Sequence, residues 1–174
     1  MRAMFVLAPL SLAALLPAAA LGDDAATPEA QQCLAKAVYF EARGEDEVSQ
    51  RAVADVVINR VEHPDFPDSV CEVIQDGGEK PPCQFSWWCD GKSDDPTEPE
   101  AWEQAQSVAQ EVIQEPEKDV TDGAVFFHSA GQTPAWGDEM EPVGQIGSHM
   151  YYRAPEDDEE LQQAEVTPQE TPEE

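Results

Sequence analysis

Apolar residues recur along this chain at helical spacing in its first two-thirds and in compact runs thereafter. Leu34, Ala37, Val38 and Phe40 suit one face of a short helix, expected from about Pro28 or Glu29 to Arg43 and stopped by Gly44. Val48, Ala52, Val53, Val56, Val57 and Val61, with Gln50, Arg51, Asp55, Asn59 and Arg60 between them, predict a second helix from about Glu47 to Glu62. Two close prolines make His63 to Asp68 a loop, after which Asp68 or Ser69 caps a brief helix through Val70, Val73 and Ile74, ended by Gly77-Gly78. Lys80 to Asp95 reads as irregular. Thr97 and Glu100 have capping-box spacing with Pro99 in the first turn, and Trp102, Ala105, Val108, Ala109, Val112 and Ile113 form the stripe of a third long helix that stops at Pro116. The pattern then changes. Gly123 to His128 and Ile146 to Arg153 have strand character, and the glycine- and proline-rich Ser129 to Gln145 between them reads as a long loop. The layout is α+β, mainly helical, with a small β-sheet or hairpin late in the domain.

Glu41 stands out in this pattern. It lies in the last turn of the first helix among Tyr39, Phe40 and other apolar neighbours. Both the negative end of the helix dipole and apolar surroundings disfavour an ionised carboxylate, so its pKa is expected to be raised. A carboxyl group kept protonated near neutral pH is suited to general acid catalysis.

The two ends read differently from the middle. Residues 1–22 have a signal peptide's parts: Met1-Arg2, an apolar run from Ala3 to Leu16, and small residues from Pro17 to Gly22. Residues 23–32 are a polar linker, and 33–154 form the folded domain. Residues 155–174, with nine acidic and no basic residues, are expected to be a disordered acidic tail. An exported location follows, periplasmic or at the cell wall and extracellular, with no membrane contact after signal cleavage. Four cysteines in such a compartment read as two disulfides. Of the three connectivities, Cys33–Cys71 and Cys83–Cys89 are preferred, the first tying the start of the opening helix to the segment after the second, the other closing a tight loop around Gln84 to Trp88. The formal charge of −28 excludes nucleic acid held through its phosphates. Acidic residues spread over the domain as well as the tail, as in proteins that stay soluble in high salt.

Several stretches together resemble the SleB-type (spore-cortex-lytic, CwlJ/SleB) cell wall hydrolases. They are Ala37-Val38-Tyr39-Phe40-Glu41-Ala42-Arg43-Gly44-Glu45, Gln50 to Val61, Cys83-Gln84-Phe85-Ser86, Gly123 to His128, Pro134-Ala135-Trp136 and Ile146 to Tyr152. The resemblance implies a lysozyme-like fold acting on the glycan strands of peptidoglycan, with Glu41 as the catalytic acid. It implies a lytic transglycosylase, which leaves 1,6-anhydro-muramoyl ends. An N-acetylmuramoyl-L-alanine amidase and a non-catalytic peptidoglycan-binding module are the alternatives.

A glycan substrate calls for aromatic platforms and hydrogen-bonding groups near the cleaved bond. Candidate substrate-binding residues are Tyr39, Arg43, Gln84, Phe85, Ser86, His128, Trp136, His149 and Tyr151. Glu45, Asp46 and Asp90 are candidate second carboxylates, although a surface or capping role is the commoner fate of Glu45. Phe40, Phe126 and Phe127 are expected to pack in the core, and one of Trp87 and Trp88 to pack while the other is exposed. Arg43 and Arg60 are expected to pair with acids. The histidines lack metal-ligand spacing, so neither a metal nor another cofactor is expected, and the chain is read as a monomer.

Overall fold

A computed structural model of the chain describes residues 26–80 and 82–155. The proposed signal peptide and nearly all of the proposed acidic tail therefore lie outside the described residues. Four α-helices and a three-stranded antiparallel sheet make up the fold: α1 (Pro28–Ala42), α2 (Glu47–Glu62), α3 (Val70–Gln75), α4 (Pro99–Gln114), β1 (Phe126–Ser129), β2 (Glu141–Ile146) and β3 (His149–Arg153). This is the expected lysozyme-like α+β architecture. Among the described residues no helix is long and apolar enough to cross a membrane.

The α1–α2 corner follows from its sequence. Thr27 caps α1, accepting a bond from the Ala30 N–H at 3.1 Å, with Pro28 in the first turn. Helix α1 stops at Ala42, and Gly44 turns the chain at φ +85°, a conformation costly for any residue with a side chain. Asp46 then caps α2 through the Ser49 N–H at 2.9 Å.

Helix α2 is the centre of the molecule. Its Ala54, Val57 and Ile58 pack with Leu34, Val38 and Tyr39 of α1, Val73 and Ile74 of α3 and Val108 and Val112 of α4. Its Ala52 and Val56 pack against Ala124 and Tyr151, with Phe127, Val143 and Ile146 of the sheet around them. A helix packed on two sides buries polar positions too, and Gln50, Asp55 and Arg60 are all buried. Arg60 and Asn59 donate to the carbonyls of Val125 and Ala124 at 2.7 and 3.0 Å, and Asp55 accepts from the Val120 N–H at 2.9 Å. These bonds fasten α2 to the segment that enters β1.

Three expectations are corrected. The segment from Ser129 to Gln145 is not all loop, because Glu141–Ile146 forms β2 and the sheet order is β1-β3-β2. Pro142 and Gly144 hid this strand. As an edge strand β2 tolerates both, with a register shift between them. The capping box at Thr97 does not form, since α4 begins after Glu98 with no side-chain cap. The Tyr39 hydroxyl accepts from the Thr97 and Glu98 N–H groups at 3.1 and 3.2 Å in its place. Trp87 and Trp88 both pack, Trp87 buried and Trp88 half-buried against the helical core. Around them Ser86–Cys89 forms a 3-10 turn in the stretch expected to be irregular. The disulfides are Cys33–Cys71 and Cys83–Cys89, the preferred pairing.

Candidate active site

Glu41 lies in the last turn of α1 and opens into a cleft of about 780 Å³. One wall comes from the α3 end and the disulfide loop, through Asp76, Gly77, Cys83, Gln84 and Ser86. Here Gly77 is required by space as well as by its φ of +89°, since a β-carbon would sit 2.7 Å from the Pro82 carbonyl oxygen. The Gln84 N–H bonds the Asp76 carbonyl at 3.1 Å and holds the two strands of the wall together. The other wall comes from the sheet, through Phe126, Phe127, His128 and His149, with Gln132 and Trp136 from the loop after β1.

Burial raises the Glu41 carboxyl to about 7, against the opposing pull of the Arg60 guanidinium. The indole N–H of Trp87 also favours the ionised form, although it makes no hydrogen bond of ordinary geometry. Glu41 is thus a carboxylic acid for much of the range below neutrality, and it becomes a carboxylate at little cost when a proton is taken.

Near the sheet, His149 is buried and its pKa is lowered by desolvation, the neighbouring Glu45 opposing this, so the ring is held neutral. Glu45 is neither a free surface group nor part of the cleft lining. It accepts the Ser148 N–H at 3.1 Å and the Ser148 hydroxyl at 2.6 Å, and lies 3.9 Å from His149 Nδ1. A β-carbon at Gly147 would overlap the Glu45 carboxylate and Ser49, so this glycine lets the corner after α1 clasp the β2–β3 turn. His128 stacks on Tyr152 at 5.4 Å and meets Trp136 edge-on at 5.6 Å. Its Nδ1 lies 2.8 Å from the Ser129 carbonyl, which can only accept. The tautomer that fits both contacts has its proton on Nδ1 and leaves Nε2 to accept from the Tyr152 hydroxyl at 3.0 Å. The result is a fixed aromatic wall beside the acid.

Of the residues singled out from sequence, Glu41, Gln84, Ser86, His128, Trp136 and His149 line this cleft. Tyr39, Phe85 and Tyr151 do not, being buried at 1%, 1% and 0% exposure, and they support the site from behind. Arg43 also lies outside it, pairing with Glu98 at 3.1 Å and sitting over the Tyr39 ring. Asp46 caps α2, and Asp90 binds Lys92, so neither joins the cleft. Phe126 and Phe127, expected in the core, are half-buried and line it. Asp76, Arg60 and Gln132 were not foreseen there, because only the fold brings them beside Glu41. Nothing in the sequence singled out Arg60 for the cleft; it reads there as one of the polar positions between the apolar ones of α2. Arg60 has no ion-pair partner among the described residues, against the expected pairing with an acid.

Residues 44–152 match the cell wall hydrolase family. The match begins just past Glu41 and does not include it. The chain is 32% identical over 123 residues to the spore cortex-lytic enzyme of Oceanobacillus iheyensis, covering 69% of this chain and 40% of that protein. It therefore spans less than half the length of that relative. The fold superposes on the catalytic domain of the Bacillus cereus SleB protein with a TM-score of 0.60 and 29% identity, covering 73% of this chain and 91% of that one. It also superposes on the catalytic domain of the germination-specific lytic transglycosylase SleB of Bacillus anthracis, with a TM-score of 0.59, 29% identity, and coverage of 73% and 96%. With more than half of its length matched by that family and its fold shared with two SleB catalytic domains, the chain belongs to the cell wall hydrolase family of the SleB type.

Proposed function

We propose that this protein cleaves the glycan strands of peptidoglycan as a lytic transglycosylase, with Glu41 as general acid and then general base. The observation that carries the reading is a carboxyl raised to about 7 in a cleft of about 780 Å³. Glu41 gives its proton to the bridging oxygen as the glycosidic bond breaks. Its carboxylate then takes the proton of the muramoyl 6-hydroxyl as that oxygen attacks the anomeric carbon, closing the 1,6-anhydro ring and restoring the acid. The N-acetyl oxygen of the sugar stabilises the cationic intermediate. Trp136 and His128 offer ring faces and edges to the sugars, and Gln84, Ser86 and His149 offer polar atoms. The lytic activity of the Bacillus anthracis relative supports the same chemistry here. Export, suggested by residues 1–22 and two disulfides, would bring the enzyme to its polymer.

A second reading rests on Asp76, the one other carboxylate in the cleft lining among the described residues. With Asp76 positioning a water, the same acid would hydrolyse the bond. Mass spectrometry of the soluble products from purified sacculi decides between them. The proposal expects 1,6-anhydro-muramoyl ends. Reducing muramic acid ends would indicate hydrolysis, and free stem peptides with intact glycan would indicate an amidase.

A further inference from the structure

Arg60 is 4% exposed and belongs to the wall of the Glu41 cleft, and its Nη1, shut off from solvent, has no hydrogen-bond partner among the described residues. The Nε–H is committed to the Val125 carbonyl at 2.7 Å. The plane is held over the Phe66 and Phe85 rings at 5.2 and 5.5 Å, so the group cannot swing away to find another acceptor. No carboxylate among the described residues comes within ion-pair distance, although Asp76 and, less strongly, Glu41 act on its charge from further off. A buried cation left with an empty donor is costly, and its residue stands in the cleft wall that also holds Glu41. Arg60 is the one arginine or lysine in the cleft lining among the described residues, and it shares that lining with the Asp76 and Glu41 carboxyls.

This inference rests on a glycan strand occupying the cleft. The sugars of such a strand carry a single kind of ionisable group, the lactyl carboxyl of the muramoyl unit, and any stem-peptide carboxyl lies several bonds further out. We infer that Arg60 is the anion-recognition group of the cleft, its guanidinium receiving the lactyl carboxylate of the muramoyl residue bound beside Glu41. Strands whose lactyl carboxyls are free are then preferred over strands capped by stem peptides. The class of reaction that supplies the preferred substrate is an amidase reaction that strips those peptides.

The test is calorimetric titration of the full chain carrying Glu41→Gln, which prevents turnover, at pH about 7. The probes are a muramoyl-containing tetrasaccharide with free lactyl carboxyls, the same tetrasaccharide with L-alanine amide on each lactyl group, and chitotetraose. The free acid should bind about tenfold or more tightly than the capped form, as a charge-assisted hydrogen bond requires. Adding Arg60→Gln should abolish that difference and leave chitotetraose affinity unchanged, and Arg60→Lys should keep part of it. Equal affinity for free and capped ligands with Arg60 intact overturns the inference without any Arg60 variant having to fold. An equal loss for chitotetraose in Arg60→Gln overturns it too, by marking a structural role. Binding in the Glu41→Gln protein is independent of cleavage. If native protein releases no anhydro ends while the free-acid preference holds, the proposed reaction fails and this inference stands.

Discussion

At the scale of single residues, the proposed role of Glu41 rests on burial, which opposes its ionisation, while Arg60 limits the effect. The pH dependence follows from the direction of that shift. Protonated Glu41 is the starting acid, so kcat on purified sacculi should hold on the acid side of neutrality and fall as pH rises through about 7. A kcat that instead rises through that range would remove Glu41 from the acid role. The same shift affects stability. A carboxyl with a folded-state pKa above its unfolded value contributes stability that is present below about 4.5 and lost as pH climbs through about 7. Thermal unfolding should therefore show Glu41→Gln to be more stable than native protein at pH 8, the gap closing toward pH 4. The raised pKa of Glu41 was legible in sequence, because apolar neighbours on the same helix act locally. Tyr39 was misread for the converse reason. An aromatic next to a candidate acid suggests a sugar platform, but its place on the helix turns it inward to cap α4, and only the packing of α1 on α4 reveals that.

Among the elements, the helices were readable to within a residue or two, since their apolar stripes are unbroken and Thr27, Gly44 and Asp46 punctuate them. Strand β2 was not, because an edge strand with a bulge can keep a proline and a glycine that erase the alternation. Long-range polar bonds were equally invisible. Asn59 on α2 donates toward Asp119, Thr121 and the Ala124 carbonyl at 3.2, 3.1 and 3.0 Å, joining residues some sixty positions apart. Since Val125, the next residue, anchors Arg60, this junction also positions the cleft. Asn59→Ala should cost about 2–3 kcal/mol by leaving buried acceptors unpaired. Urea unfolding checks this, and a loss below about 0.5 kcal/mol would mean that the junction is held elsewhere.

For the whole molecule, charge is the property to explain. On an anionic wall, its proposed substrate, a protein of charge −28 meets repulsion over a Debye length of about 10 Å at 0.1 M salt. Screening should therefore aid encounter, so KM on sacculi should fall as sodium chloride rises from about 0.02 to 0.5 M while kcat stays level, the Debye length shrinking several-fold over that range. A KM that climbs steadily with salt would point to an attractive field instead. All of this depends on one carboxyl at the end of α1. The most direct test is sacculus turnover by native and Glu41→Gln proteins side by side at pH about 6, with unfolding temperature as the control for fold. Loss of one general acid predicts a fall on the order of a thousandfold in a protein that remains folded. Turnover within a few-fold of native would contradict the assignment of Glu41.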